Sequence, residues 1–175
     1  LHTLAELEDA DLQGKLAVLY GDLVCNPLPP KAWPFKTPED ARVVELLEEK
    51  RPAAVLTVQA HAGEIERLIE DWEFTLPSAT VSAQIGAMLL EKAGEQARVR
   101  IDARKSMGVT ANVIGRLPGA SHQQIVLCAH YDTKVDTPGA GDNASGVATM
   151  LALAEHFCRQ EQAHSLEFVA FTNEE

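Results

Sequence analysis

The stretch Ile125–Gly146, IVLCAHYDTKVDTPGAGDNASG, decides the fold of its part of the chain. Its first five residues are apolar, which predicts a buried β-strand. The strand delivers His130 and Asp132 to its carboxyl end, the edge at which open α/β sheets place their chemistry. Because alternate strand residues point to the same side, the Asp132 carboxylate can accept a hydrogen bond from the His130 ring and so orient a metal-binding imidazole.

A loop rich in glycine and proline follows this strand and carries Asp142. Glycines let the backbone turn tightly and approach a metal closely. An unpaired buried carboxylate at Asp142 would be costly, so a cation is its natural partner. Apolar residues at helical spacing then predict a helix over residues 146–160 that packs back on the sheet.

A second continuous apolar run, LEFVAF at residues 166–171, ends just before Glu174 and Glu175. The order strand, helix, strand predicts a right-handed crossover, which makes the two strands parallel and brings their carboxyl ends to one edge. The two glutamates therefore arrive beside His130 and Asp142. Because adjacent residues point in different directions, one glutamate can bind a metal while the other acts on water.

Three ordered segments carry a resemblance to a known family. They are AHYD at residues 129–132, PGAGDNASG at 138–146, and FVAF at 168–171 leading into the two glutamates. In this order and spacing they resemble the co-catalytic zinc exopeptidase family, which includes bacterial aminopeptidases, glutamate carboxypeptidase and the catalytically inactive ectodomain of the transferrin receptor. The resemblance implies a zinc-dependent aminopeptidase that acts on a peptide substrate with two Zn²⁺ ions per complete site.

The resemblance also implies a role for each candidate residue. His130 binds one zinc, Asp142 bridges the two, and Glu175 binds the other. Asp132 orients His130, and Glu174 is the general base. In the family, the peptide bond that follows the bridging aspartate is often cis.

The predicted fold class is α/β. The resemblance implies that residues 96–175 are the first half of a three-layer α/β/α zinc-peptidase sheet, preceded by a small β-rich α/β domain at residues 1–95. The glycine, proline and apolar placements in DLQGKL (11–16) and LPSA (76–79) resemble those of a protease-associated domain. Such domains are commonly inserted near the substrate entrance, which implies gating or substrate contact.

Caps, breakers and apolar runs predict alternating strands and helices in the amino-terminal part of the chain. Thr37 followed by Pro38 is typical of a helix start, because threonine caps the first turn and proline fits the first helical position. The other predicted elements are strands at 15–20, 53–59 and 79–81, a helix from Ser82 to Gly94, and a hairpin of 98–104 and 111–117.

Composition and charge are those of an ordinary globular chain, with 46% hydrophobic and 23% charged residues. The formal net charge of -11 would repel phosphate groups, which argues against nucleic acid and anionic membranes as partners. No apolar run reaches the roughly 18 residues that a transmembrane segment needs. Three widely spaced cysteines, Cys25, Cys128 and Cys158, argue against a disulfide framework.

Each candidate residue has a structural alternative when it is taken singly. His130 can be a hydrogen-bonded surface histidine and Asp132 a turn residue. Asp142 or Asn143 can cap the following helix, and Glu174 with Glu175 can be a solvated chain end. The convergence of these features on one sheet edge favours the metal site.

The family's site also needs another carboxylate and a later histidine, whereas this chain begins without Met and stops at Glu175. We therefore interpret the chain as a fragment, with the carboxyl-terminal half of the catalytic domain as its missing partner. We expect weak zinc binding, little or no peptidase activity, and an unpaired sheet edge that favours association into a homo-oligomer. Because relatives with this domain pairing are frequently exported, we expect a secreted or periplasmic location.

Two functional alternatives remain open from the sequence. One is a non-catalytic receptor or binding relative that keeps the fold. The other is a glutaminyl-cyclase-like acyltransferase that uses one zinc.

Overall fold

The computed structural model describes residues 1–63, 65–104, 106–134 and 137–175. The chain forms two compact units, Leu1–Arg104 and Lys105–Glu175. Residues 96–104, which join the first unit here, have no regular secondary structure. The division into domains 1–95 and 96–175, and the protease-associated character of the first, remain predictions.

The first unit contains a three-stranded parallel sheet in the order β1–β2–β3. Its strands are β1 (Leu16–Leu19), β2 (Ala54–Val58) and β3 (Ser78–Val81). Its α-helices are α1 (Leu4–Asp9), α2 (Pro38–Lys50) and α3 (Ala83–Glu91), and a 3-10 helix spans Gly21–Val24. These elements confirm the predicted strands and helices of this part of the chain.

Helix α2 begins where the sequence predicts. The Thr37 hydroxyl accepts a hydrogen bond from the Asp40 amide (3.1 Å), and the Asp40 carboxylate accepts one from the Thr37 amide (3.2 Å). Pro38 follows as the first helical residue. The helix ends at Lys50, and the next residue, Arg51, has a left-handed conformation with φ of 51°. The start is therefore encoded locally, because both orphan amides find partners within four residues.

The core of the first unit packs helices α1 and α2 with its sheet. Leu7 of α1, Leu47 of α2, and Leu19 and Val55 of the sheet are fully buried. All five residues of β2 are buried, as expected for the central strand of a parallel sheet covered on both faces.

The second unit contains a mixed three-stranded sheet in the order β4–β6–β5. Its strands are β4 (Val113–Leu117), β5 (Gln124–His130) and β6 (Ser165–Phe171). Strands β5 and β6 are parallel, and β4 is antiparallel to β6. An irregular turn at Ala140–Ala144, in which Asp142 and Asn143 have non-helical backbone angles, leads into helix α4 (Ser145–Phe157), which connects β5 to β6. The predicted strand, helix, strand unit and the α/β class are confirmed.

The predicted hairpin of residues 98–104 and 111–117 is wrong. Residues 98–104 alternate charged and apolar side chains, a strand-like pattern, but form no strand and are almost all exposed. Strand β4, which covers most of the second predicted segment, pairs with β6 instead. Alternation alone does not make a strand, because the backbone groups also need a neighbouring strand to bond with.

Helix α4 covers one face of this sheet. Met150 of α4 packs in one buried cluster with Ala129, Leu166 and Phe168. On the opposite face, apolar side chains such as Val126 are more than half exposed. The described part of the second unit thus supplies the sheet and one helical layer of the three layers that the sequence predicts.

None of the helices in the described ranges is long and apolar enough to span a lipid bilayer.

Candidate metal centre

The ends of β5 and β6 meet at one edge of the sheet. His130 is the register partner of Phe171, and the Tyr131 amide donates to the Phe171 carbonyl over 2.8 Å. The segments that leave the two strands therefore start side by side. This placement brings the candidate residues after β5 to the candidate residues after β6, as the crossover predicts.

The structure brings the predicted metal ligands together. The distance between His130 Nε2 and Asp142 Oδ1 is 2.9 Å, and that between His130 Nε2 and Glu174 Oε2 is 3.8 Å. One ligand atom from each of His130, Glu174 and Glu175 lies within 4.8 Å of the others. The His130 side chain is 12% exposed and that of Asp142 is 76% exposed. A recessed imidazole is thus faced by carboxylates that solvent can reach.

The His130 ring is held at its Nδ1 atom by Asp132. Nδ1 lies 3.2 Å from the Asp132 carbonyl oxygen and 3.6 Å from Asp132 Oδ1. Both neighbours are acceptors, so we assign the ring proton to Nδ1. The lone pair of Nε2 is then directed at the carboxylate cluster, which is the tautomer that a metal ligand requires. The nearer acceptor is the backbone carbonyl, whereas the sequence pattern predicts the carboxylate.

The Asp132 carboxylate also contacts the segment after β6. Its Oδ2 atom accepts hydrogen bonds from the amides of Glu174 (2.9 Å) and Glu175 (3.1 Å). Burial raises the pKa of Asp132, but these amide bonds and the nearby His130 outweigh burial and leave the pKa below its usual range. The carboxylate is therefore held in its charged form.

The electrostatics of the cluster favour a cation. Burial lowers the pKa of His130, but the Asp132 carbonyl and the carboxylates of Glu174 and Asp142 outweigh burial and raise it above its ordinary value. Burial and the charge of Asp142 raise the pKa of Glu175. The charge of Asp142 contributes to both shifts, since closely spaced carboxylates attract a proton or another positive charge.

The loop that carries Asp142 is tied to the start of α4. The Asn143 side-chain oxygen accepts a hydrogen bond from the Gly146 amide (3.1 Å), so Asn143, and not Asp142, bonds the first turn of the helix. The peptide bond between Asp142 and Asn143 is cis, as the family resemblance implies. Of the two capping residues that the sequence offers, Asn143 therefore makes the bond, as expected for an asparagine just before a helix.

A divalent metal fits these residues. The set offers one imidazole nitrogen and several carboxylate oxygens, which are ligands that zinc takes in proteins. With the proton on Nδ1, His130 Nε2 and Asp142 Oδ1 face each other as two acceptors at 2.9 Å. Such a pair needs a positive charge to share. Within the part of the chain that the structure describes, His130, Glu174 and Glu175 are the one group of three possible ligands.

The sequence profile of Peptidase family M28 matches residues 112–175. These residues are therefore similar to Peptidase family M28. The matched segment includes all three strands and the helix of the second unit, and it contains every candidate site residue.

Similar sequences match about two fifths of the chain. "Vacuolar membrane protease" of Vanderwaltozyma polyspora is 31% identical over 68 residues, which are 38% of this chain and 7% of that protein. "Uncharacterized protein YfbL" of Escherichia coli is 36% identical over 76 residues, 39% of this chain and 24% of that protein. "Probable zinc metalloprotease" of Pyricularia oryzae is 36% identical over 75 residues, 37% of this chain and 15% of that protein.

Solved structures share the fold over nearly the whole chain. An aminopeptidase from Aneurinibacillus sp. strain AM-1 has a TM-score of 0.65 at 24% identity, covering 98% of this chain and 41% of that one. BSAP, a zinc aminopeptidase from Bacillus subtilis, has a TM-score of 0.63 at 18% identity, covering 94% and 38%. The chain thus spans about two fifths of these structures and a quarter or less of the curated relatives above.

Proposed function

We propose that the protein to which this chain belongs is a zinc-dependent metallo-exopeptidase, and specifically an aminopeptidase. The observation that carries the proposal is the meeting of His130 with Asp142, Glu174 and Glu175 at one sheet edge, in a segment similar to Peptidase family M28. The structural neighbours named as aminopeptidases favour removal of the amino-terminal residue of a peptide. Peptides are therefore the proposed substrates.

Three side chains are proposed to hold the metal. His130 would hold one zinc through Nε2, Asp142 would be shared by two zinc ions, and Glu175 would hold the second. When bound, a zinc pair supplies a Lewis acid for the scissile carbonyl and a water whose pKa falls toward about 7. Asp142 suits the bridging position because its carboxylate is directly opposite the imidazole and largely exposed.

Glu174 is proposed as the general base. Its carboxylate lies 3.8 Å from His130 Nε2, beside the proposed ligands, and about half of the side chain is exposed. A carboxylate in this place can take a proton from the attacking water and return it to the departing amine. The carboxylate of the neighbouring Glu175 reaches the same cluster, where it is proposed as a metal ligand.

The test of this proposal is Glu174→Gln in the full-length protein. Since glutamine cannot accept the proton, we expect kcat on an aminoacyl substrate to fall by roughly 10² to 10⁴, while the zinc content measured by atomic absorption is unchanged. Glu161→Gln, on an exposed residue outside the cluster, is the matched control. Loss of zinc in Glu174→Gln would make Glu174 a ligand, and full activity would reject its role as base.

The two functional alternatives predict different products. A non-catalytic relative would release nothing from any peptide, and the presence of three potential ligands at one edge argues against it. A glutaminyl-cyclase-like enzyme would convert an amino-terminal glutamine to a ring without releasing a residue. Mass spectrometry of a glutamine-terminated peptide after incubation separates these outcomes. Secretion or a periplasmic location stays a prediction.

A further inference from the structure

The carboxylate of Asp132 faces two strand ends at once. Its Oδ2 atom accepts hydrogen bonds from the amides of Glu174 (2.9 Å) and Glu175 (3.1 Å). Its Oδ1 atom is buried without a hydrogen-bond partner among the described residues and lies 3.6 Å from His130 Nδ1. Oδ2 thus bonds the segment after β6, and Oδ1 lies near His130, the last residue of β5.

The two glutamates need an anchor of this kind because they lie beyond the sheet. Strand β6 ends at Phe171, and the Thr172 amide donates to the Asn112 side chain (3.1 Å). Asn173 then takes a left-handed conformation with φ of 60°. For the next two amides, the acceptor within the described ranges is the Asp132 carboxylate. A charged acceptor gives stronger hydrogen bonds than a neutral one.

We propose that Asp132 is a positioning residue for the two glutamates as well as for His130. By bonding the backbone amides of Glu174 and Glu175, it fixes the backbone from which their side chains extend. Its carbonyl oxygen and Oδ1 lie beside Nδ1 of His130 and orient that ring. Asp132 therefore acts on the site through three neighbours. The effect on catalysis rests on the proposed function, whereas the effect on the two amides does not.

Substitutions at Asp132 and Asp142 distinguish the hydrogen bonds of Asp132 from the effect of its negative charge on the cluster. Asp132→Ala removes both acceptor oxygens. Asp132→Asn keeps one oxygen, but its NH₂ group then faces either the His130 Nδ1 proton or the amides, so one of the two contacts is lost. Asp142→Asn removes the same charge from the cluster and none of the amide bonds, which makes it the matched control for the amide measurement.

The first measurement is backbone amide hydrogen exchange by NMR on the metal-free 175-residue chain. The amides of Glu174 and Glu175 should be protected in the unsubstituted chain, and their exchange should rise at least about tenfold in Asp132→Ala, as expected for loss of a hydrogen bond to a charged acceptor. Asp142→Asn should leave both rates within about twofold. Slowly exchanging amides of β5 and β6 report whether a variant is folded. Should the alanine variant not fold, Asp132→Asn carries the test, because even an asparagine oxygen bonded to the two amides is a neutral and weaker acceptor, so their exchange should still rise.

The second measurement uses the full-length protein. Zinc affinity of Asp132→Ala should fall by roughly 10- to 100-fold, as for the loss of other groups that orient metal ligands. Unprotected Glu174 and Glu175 amides in the unsubstituted chain, or equal exchange with and without the Asp132 carboxylate, would overturn the proposal. Changed amide exchange in a protein that hydrolyses no peptide would overturn the proposed function and leave the positioning role standing.

Discussion

His130 lies opposite Phe171 in the parallel pair β5–β6, so both strands end in register at the same edge. Two residues beyond His130 comes Asp132, and three residues beyond Phe171 comes Glu174, whose amide bonds the Asp132 carboxylate. A shift of one residue in this register would turn His130 to the other face of the sheet. The strand register is therefore the condition on which the site depends.

The conformation of Gly139 should be needed for the position of Asp142. Gly139 has φ of 60°, and a Cβ atom there would collide with the Thr133 side chain. We expect Gly139→Ala to lower the free energy of unfolding of the second unit by about 2 kcal/mol, from the left-handed strain and the collision together. Zinc binding should weaken as well. Thermal denaturation and zinc titration measure the two effects.

The matched control for this prediction is Gly141→Ala. A Cβ atom at Gly141 meets nothing within 4 Å, and Gly141 does not have a positive φ. We expect a stability change within about 0.5 kcal/mol. Equal effects of the two substitutions would contradict the role given to Gly139.

Removing the imidazole should weaken zinc binding. We expect His130→Ala to reduce the zinc affinity of the chain at least about tenfold, because the nitrogen donor opposite Asp142 is lost. Calorimetric titration with Zn²⁺ measures the change. The control is His122→Ala, since His122 is exposed and outside the cluster. Unchanged zinc affinity in His130→Ala would place the metal elsewhere.

Stability of the first unit should depend on the ionisation of Glu48. Its Oε1 atom accepts hydrogen bonds from Lys31 (2.8 Å) and from Thr75 (amide and hydroxyl, each 3.2 Å). Burial raises the pKa of Glu48, but these bonds outweigh burial and leave the pKa lowered. The stabilisation is thus complete above the unfolded pKa of about 4.3 and is lost as pH falls through the folded pKa.

Urea denaturation of Glu48→Gln as a function of pH tests this role of Glu48. The substitution should cost about 1 kcal/mol of unfolding free energy at pH 7 and should flatten the loss of stability below about pH 4.3. Glu45→Gln is the control, because Glu45 is an exposed residue of the same helix, paired only with Arg42 across 3.4 Å in the described chain. A Glu48→Gln profile parallel to that of the unsubstituted protein would refute the assignment.

The start of helix α2 should depend on the oxygen of Thr37. Thr37→Ala removes the acceptor for the Asp40 amide, and we expect it to lower the free energy of unfolding of the first unit by about 1 kcal/mol. Thr37→Ser keeps the oxygen and should retain most of that stability. Chemical denaturation of both variants is the measurement, and an alanine variant as stable as the serine variant would show that the cap is not needed.

Several elements follow from the sequence alone because their causes are local. Thr37 and Pro38 start α2, and the apolar runs before His130 and before Thr172 mark β5 and β6. The connecting helix forms a crossover that makes those two strands parallel, so the meeting of His130, Asp142 and the two glutamates could be predicted without coordinates.

Tertiary structure decided what depends on a partner distant in the chain. Residues 98–104 have a strand-like pattern but pair with no strand. Strand β4 pairs with β6, which follows β5 and α4 in the chain. In the same way, the hydrogen bond from the Glu174 amide to the Asp132 carboxylate joins residues that are 42 positions apart in the chain. Local pattern determines which element a residue belongs to. Strand partners and hydrogen-bond acceptors are fixed only when the whole sheet has formed, because each backbone group then bonds the nearest available partner.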